Sequence, residues 1–246
     1  MKKYWEFKNK TTDEADLYLY IEIASWGGGG YAHSAKSFKQ ELDLLGEIKT
    51  LNVYINSPGG DVFEGVAIYN MLKRHKAQVN VHVDGLAASI SSVIAMAGDT
   101  IYMPSNAMIM IHNAWMYTSG DSNELRAAAD MLDKVNVSIR QSYLDKAGDA
   151  ISEEDLIALM DQTTWLTAQE AYDYGLCDVV GEAKQIAASV NAELFARYQN
   201  VPENIAKIAQ KQPENSQNEQ EIRQKLIQES RANVENLTTY LGGIRL

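Results

Sequence analysis

The sequence predicts an α/β layer fold, and three observations predict it. Apolar residues alternate at Leu17, Leu19, Ile21 and Ile23, and again at Val79, Val81 and Val83, the two-residue period of a half-buried strand. Each such stretch gives way to a turn of glycine or other small residues, and each turn to a run with helical apolar spacing. The order strand, turn, helix therefore recurs along the chain, as in a layered α/β domain.

Element by element, the strand at Leu17 to Ile23 is broken by Gly27 to Gly30 before a helical pattern from Ala35 to Leu45. Leu51 to Ile55 reads as the next strand, Ser57 to Gly60 as a turn, and Val62 to Lys73 as a helix. In that helix Val62, Phe63, Val66, Ile68, Tyr69 and Leu72 cover most of the surface, so it is expected to be well buried, with Asp61 as its cap. The strand Val79 to Val83 leads through the turn Gly85 to Ala88 into an apolar, central helix from Ser89 to Ala97. Short strands at Thr100 to Met103 and Ala107 to Ile111 flank the turn Pro104-Ser105-Asn106.

A long helix from Ser122 to Lys146 is too polar for the core yet keeps a stripe of Leu125, Ala129, Leu132, Val135 and Ile139, so it is expected to project and pack on another subunit. Ser152 starts a helix with acids in its first turn. Thr167-Ala168-Gln169-Glu170 has the spacing of a capping box, Gly175 ends that helix, and Cys177 to Val180 forms a last strand. From Gln199 the composition turns to Gln, Asn and Glu, with a surface helix expected at Asn218 to Tyr240. The domain reading is an N-terminal segment at 1–16, an enzyme domain at 17–198 and a polar tail at 199–246, partly helical or disordered.

Composition bounds the function. The 246 residues are 46% hydrophobic and 22% charged, enough for one domain with a large core. A formal net charge of −11 argues against nucleic acid as a partner, because the Lys73-Arg74-His75-Lys76 cluster is the only basic concentration and suits a helix end. The single cysteine, Cys177, lies among apolar residues and reads as a buried structural thiol of a reducing compartment. Met1 to Lys10 lacks the apolar stretch of a signal peptide, and no run approaches the roughly 18 apolar residues of a membrane span. A cytoplasmic protein is expected.

Three stretches carry chemistry: Ile55-Asn56-Ser57-Pro58-Gly59-Gly60, Gly85-Leu86-Ala87-Ala88-Ser89 and Met108-Ile109-Met110-Ile111-His112. They offer a backbone donor loop, a hydroxyl nucleophile and an imidazole base. A serine needs a base in hydrogen-bond reach and fixed donors for the oxyanion it creates. Ser89 reads either as that nucleophile or as the cap of the following helix. Gly59 and Gly60 present amide groups to an oxyanion or simply form a turn. His112 ends an apolar strand, where it is either the base or a core-edge histidine bonded to backbone; His33, His75 and His82 read as surface or structural. The segment around Ser89 is not a Gly-x-Ser-x-Gly elbow, so an α/β-hydrolase is unsupported.

In these motifs and their order the chain resembles the Clp proteolytic subunit family of serine peptidases. The resemblance covers residues 17 to 181 and continues through Trp165-Leu166-Thr167-Ala168 and Tyr174-Gly175-Leu176. It implies the repeated strand-strand-helix (ββα) superhelix that Clp proteases share with crotonases, with Ser122 to Lys146 as a projecting handle helix through which rings of subunits pair. It also implies Ser89 as nucleophile, His112 as general base, the amides of Gly60 and Ile90 as oxyanion donors, and no metal or organic cofactor. A polypeptide substrate and a homo-oligomeric ring or double ring follow.

The chain departs from the family pattern twice. The family's third catalytic residue, an aspartate, falls on Thr163; Asp161 lies nearby and substitutes if the helix end unwinds, or the Thr163 hydroxyl orients His112, or the enzyme is slow. In a chymotrypsin-like protease, losing only that charge costs roughly 10⁴ in turnover. Met1 to Asp16 also looks unlike the gating segment that meets an ATP-driven unfoldase. The resemblance is therefore closer to the phage-type branch, which processes scaffold or capsid protein during head maturation. The alternatives are a housekeeping-type subunit working with an unfoldase, a catalytically degenerate scaffold module, and a crotonase-type acyl-CoA enzyme. No Gly-x-x-x-x-Gly-Lys-Ser/Thr loop is present, so this chain is not expected to hydrolyse ATP itself.

Overall fold

A computed structural model describes residues 4–24, 34–183 and 198–203. Strands β1 (Glu6–Asn9), β2 (Glu14–Leu19), β3 (Thr50–Ser57), β4 (Gln78–Ala88), β5 (Thr100–Pro104), β6 (Met108–Ile111), β7 (Thr164–Thr167) and β8 (Val179–Gly181) form one sheet. The main path runs β1-β2-β3-β4-β5-β8, while β6 pairs with the far end of β4 and β7 pairs with β6. The β1–β2 and β6–β7 pairs are antiparallel and the others parallel. Helices α1 (Ala35–Leu44), α2 (Val62–Lys73) and α3 (Ile90–Ala95) cross between strands, followed by α4 (Ser122–Ala147), α5 (Glu153–Asp161) and α6 (Ala168–Asp173). The α/β class read from alternation and turn spacing is the class observed.

One face of the central strands is buried and the other partly covered, and the valines and isoleucines of the buried face fill the core: Val53, Ile55, Val81, Val83, Ile101 and Ile109 have no exposure. Helix starts follow the sequence chemistry. The Asp61 carboxylate accepts from the Phe63 and Glu64 amides, each at 3.0 Å. Thr167 and Glu170 form the reciprocal box their spacing predicts.

Four expectations need correcting. The described part of the segment 1–16 does not stand apart: Tyr4 and Trp5 are buried and β1 pairs with β2, because aromatic packing on Phe38 supplies burial that the polar β1 sequence does not advertise. Strand β4 does not turn at Gly85; it continues to Ala88 by exchanging β5 for β6 as its partner. Phe63 is 68% exposed, since α2 turns Ile68, Tyr69 and Leu72 inward and leaves its first turn at the surface. The 199–246 tail is not wholly apart, for residues 199–203 follow Tyr198 against the sheet, where Val201 joins a small apolar cluster with Leu86, Ala88 and Met110. The glycine run at 27–30, His33 and the helix expected at Asn218 to Tyr240 lie outside the described residues.

The 26-residue α4 is about 39 Å long at 1.5 Å per residue. It buries only its last turns, through Ile139, Ser142, Tyr143 and Ala147, and leaves Leu125, Met131 and Val137 exposed. The projection expected of this helix is thus seen in the chain itself.

Candidate active site

The end of β4 and the end of β6 lie side by side, with Ala88 opposite Met110. Ser89 and His112 therefore leave adjacent strand ends. Ser89 has φ 56° and ψ −131°, a conformation that a side chain resists and that surrounding bonds must hold. The Ser89 amide donates to the Met110 carbonyl at 2.9 Å, and the Ser89 carbonyl lies 2.6 Å from Ser92 Oγ. Buried Tyr143 of α4 places its hydroxyl 2.7 Å from the same Ser92 oxygen. In this turn the Ser89 side chain caps nothing in α3; its Oγ sits 2.7 Å from His112 Nε2.

His112 is half-buried, and loss of water pushes its pKa down to about 4. The imidazole is neutral at neutral pH. A neutral ring that accepts from Ser89 at Nε2 carries its proton on Nδ1. The pair can therefore transfer the serine proton to nitrogen as oxygen attacks a carbonyl.

The donor loop is held by an isolated parallel bridge between Ile23 and Gly60. Ile23 donates to the Gly59 carbonyl and accepts from the Asp61 amide, both at 2.7 Å. That pattern consumes the groups on either side of Gly60 and turns the Gly60 amide the other way. Gly60 has φ 146°, and a Cβ there would meet the Ile23 carbonyl oxygen at 1.9 Å, so only glycine fits. Ile90 is the first residue of α3, and its amide has no acceptor within the helix. Ser91 Oγ lies 2.9 Å from the Ser57 carbonyl and 2.7 Å from the Ala88 carbonyl, which joins the donor loop to the serine turn.

These groups open on a cleft of about 880 Å³ lined by Ser89, His112, Gly60, Trp115, Tyr117 and Tyr198, among others. At the third position the register is informative. Ile111 faces Thr164 as the last pair of the β6–β7 ladder, so His112 and Thr163 both lie just beyond its end, Thr163 in a turn with φ 53°. Asp161 is the last residue of α5, and its carboxylate accepts from Asn113 Nδ2 at 2.7 Å. Among the described residues, no carboxylate bonds the His112 ring. Instead Tyr198 packs against it, with ring centroids 5.4 Å apart and planes at 90°.

Tyr198 was not visible as a site residue in the sequence. It lies far from His112 along the chain, in a polar context with no motif around it, and only the return of the chain onto Trp165 brings it there. The remaining histidines described have structural surroundings: His75 Nδ1 accepts from the Ala77 amide, and His82 stacks between Tyr54 and Tyr102. Cys177 is buried, and burial raises its thiol pKa, as suits an inert thiol. Among the described residues no cluster of three or more His, Cys, Asp or Glu could hold a metal ion, and no helix is long and apolar enough to cross a membrane.

Residues 27–184 match the model of the Clp protease family. The ATP-dependent Clp protease proteolytic subunit of Ligilactobacillus salivarius is 37% identical over 146 residues, spanning 58% of this chain and 73% of that protein.

Proposed function

The chain belongs to the Clp protease family, and from that premise we propose that it is a serine endopeptidase in which Ser89 and His112 perform the chemistry. The observation that carries the proposal is the 2.7 Å contact between Ser89 Oγ and His112 Nε2, made from a strained backbone at the mouth of a cleft. Ser89 Oγ attacks the peptide carbonyl carbon while His112 Nε2 takes its proton. The carbonyl π pair moves onto oxygen, and the Gly60 and Ile90 amides hold that oxyanion. As the C–N bond breaks, His112 returns the proton to the departing amine and leaves an acyl-Ser89. Water, deprotonated by His112, then attacks the acyl carbon and releases the carboxylic acid and free Ser89. Neither a metal nor an organic cofactor takes part in this scheme.

The finer reading is a homo-oligomeric ring or double ring in the cytoplasm of a host cell that processes scaffold or capsid protein during phage head maturation. Its support is the N-terminal region, whose sequence looks unlike the family's gating segment and where Tyr4 and Trp5 pack into the core and Glu6–Asn9 pair in the sheet. An enzyme that cuts each substrate once also tolerates the slow turnover expected where Thr163 replaces an acid. A second reading, partnership with an ATP-driven unfoldase, is favoured by the name of the Ligilactobacillus relative. Degradation of a folded, tagged protein only with an unfoldase and ATP present would select the second reading; one limited cut in a scaffold protein without ATP would select the first.

The nucleophile is tested by intact-mass analysis after exposure to a fluorophosphonate, with Ser89→Ala alongside. One adduct that disappears in a folded Ser89→Ala protein is expected. No adduct in a folded, assembled wild-type sample overturns the assignment and leaves the degenerate scaffold module as the better account.

A further inference from the structure

We propose that Tyr198 is a positioning residue for the Ser89–His112 pair, pressing its ring on the imidazole while its hydroxyl ties down the donor loop. This inference rests on the reading of Ser89 and His112 given above. The Tyr198 hydroxyl donates to the Pro58 carbonyl, and Pro58 immediately precedes Gly59 and Gly60. One side chain therefore touches the base on one side and the oxyanion loop on the other.

The segment bearing Tyr198 is anchored independently of that contact. Trp165 Nε1 donates to the Gln199 carbonyl at 3.1 Å, and Asn200 Nδ2 donates to the Gln162 carbonyl at 2.8 Å. Asn200 turns the chain with φ 54°, a region asparagine enters more readily than most residues. Val201 and Tyr198 pack on Leu86, Ala88 and Met110, and Trp165 meets the Tyr198 ring at 6.3 Å and 73°. The two anchoring residues, Gln162 and Trp165, flank Thr163 and Thr164. The strap is thus fastened to the stretch from which an orienting acid would otherwise come.

In a triad the third member fixes the ring and supports the imidazolium formed during attack. Here Asp161 is engaged by Asn113 and Thr163 carries no charge. The cleft wall adds the carboxylates of Glu22 and Asp61, of which Asp61 accepts from the first turn of α2. An aromatic ring against the imidazole restricts its rotation and excludes water.

The test uses the full chain, the fluorophosphonate labelling rate at several pH values, and variants Tyr198→Phe and Tyr198→Leu checked for folding and assembly. Tyr198→Leu is expected to label between about 10-fold and 100-fold more slowly, the scale of a small misplacement of reacting groups. Its acid limb should also move to higher pH, because water regains the imidazole, while its melting temperature stays close to the wild-type value, which general loosening of the fold would lower. Tyr198→Phe keeps the ring and should leave the limb in place while labelling several-fold more slowly. A folded Tyr198→Leu that labels at the wild-type rate with an unmoved acid limb overturns the proposal. If Tyr198→Leu does not fold, a wild-type rate in Tyr198→Phe overturns it. Failure of the wild type to label sinks the Ser89–His112 reading and this inference with it, whereas labelled wild type and unaffected variants sink only this inference.

Discussion

Thr163 offers the sharpest perturbation, because one position combines backbone strain with an uncharged side chain at the turn before β7. Its φ is 53°, a left-handed conformation that is an outlier for a β-branched residue. That conformation costs L-residues roughly 1–2 kcal/mol, less for Asn and Asp. Thr163→Asn should therefore gain about 1 kcal/mol, or roughly 2–4 °C in Tm for a chain of this size. Thr163→Asp should gain the same strain relief and in addition place a carboxylate at the end of the β6–β7 ladder that His112 also leaves. A carboxylate within about 4–6 Å of the ring stabilises the imidazolium. The full charge of a triad is worth roughly 10⁴ in turnover; with the Asp placed by a turn and not by a rigid strand, an increase of at least about 10-fold in labelling is expected. The acid limb should rise above its starting point near 4, because a neighbouring negative charge favours the protonated ring. Melting curves and fluorophosphonate rates on wild type, Asn and Asp separate the two effects. If Asp labels no faster than Asn, position 163 does not address the base; if both melt below wild type, the strain argument fails.

Two further outcomes follow from the same geometry. Gly60→Ala should reduce labelling by about 10²–10³, the worth of one oxyanion donor, because its Cβ collides with the Ile23 carbonyl and breaks the bridge that aims the amide. Gly46→Ala, at φ 70° with open space around its Cβ, is the control and should leave the labelling rate unchanged. His112 should also make stability depend on pH. Its folded pKa of about 4 lies below the unfolded value of about 6.5, so the unfolded chain binds more protons between them. This contribution is complete above about pH 6.5 and is lost as pH falls toward 4, amounting to at most about 2 kcal/mol between pH 7 and pH 5. Denaturant titrations of wild type and His112→Gln at both pH values measure it, and equal pH slopes for the two proteins would refute it.

What the sequence disclosed follows the range of the interaction responsible. Strands β3 to β5 were legible because their buried faces leave valines, isoleucines and other apolar residues in alternation or short runs; the strand expected at Leu17 to Ile23 is displaced, since β2 runs Glu14–Leu19 by pairing with β3 and Ile21 is exposed. Caps at Asp61, Ser152 and Thr167 were legible because they are settled within four residues. Strand β1, with Glu6, Lys8 and Asn9 in four positions, carries no apolar alternation and exists through its pairing with β2. Strand β7 is equally short and becomes a strand only against β6. At the candidate site, the three motifs marked Ser89, His112 and the Gly59–Gly60 loop, which the structure brings around one cleft, each from its own strand end. Tyr198 was hidden because its role depends on distant contacts with Trp165 and Pro58, which leave no local pattern.

The close packing of the two glycines against the serine turn explains how the strain at Ser89 persists. A Cβ on Gly59 would lie 2.6 Å from the Ala88 carbonyl oxygen and 2.7 Å from Ser89 Cβ, so donor loop and serine turn are already in contact through backbone. Ser91 bonds to both, Ser92 and Tyr143 hold the Ser89 carbonyl, and the Ile23 bridge fixes the loop from outside. The proposed nucleophile and oxyanion donors are thus held by a main-chain framework that several side-chain hydroxyls brace together. The base is different: its strand ends at Ile111, and its ring orientation depends on side chains alone. An uncharged residue at position 163 therefore bears on the least redundant part of the proposed site, where the Tyr198 ring meets the imidazole but supplies no full charge. It follows that variants around His112 should change rate and pH dependence together, whereas variants around Gly59 and Ser91 should change rate with the acid limb unmoved.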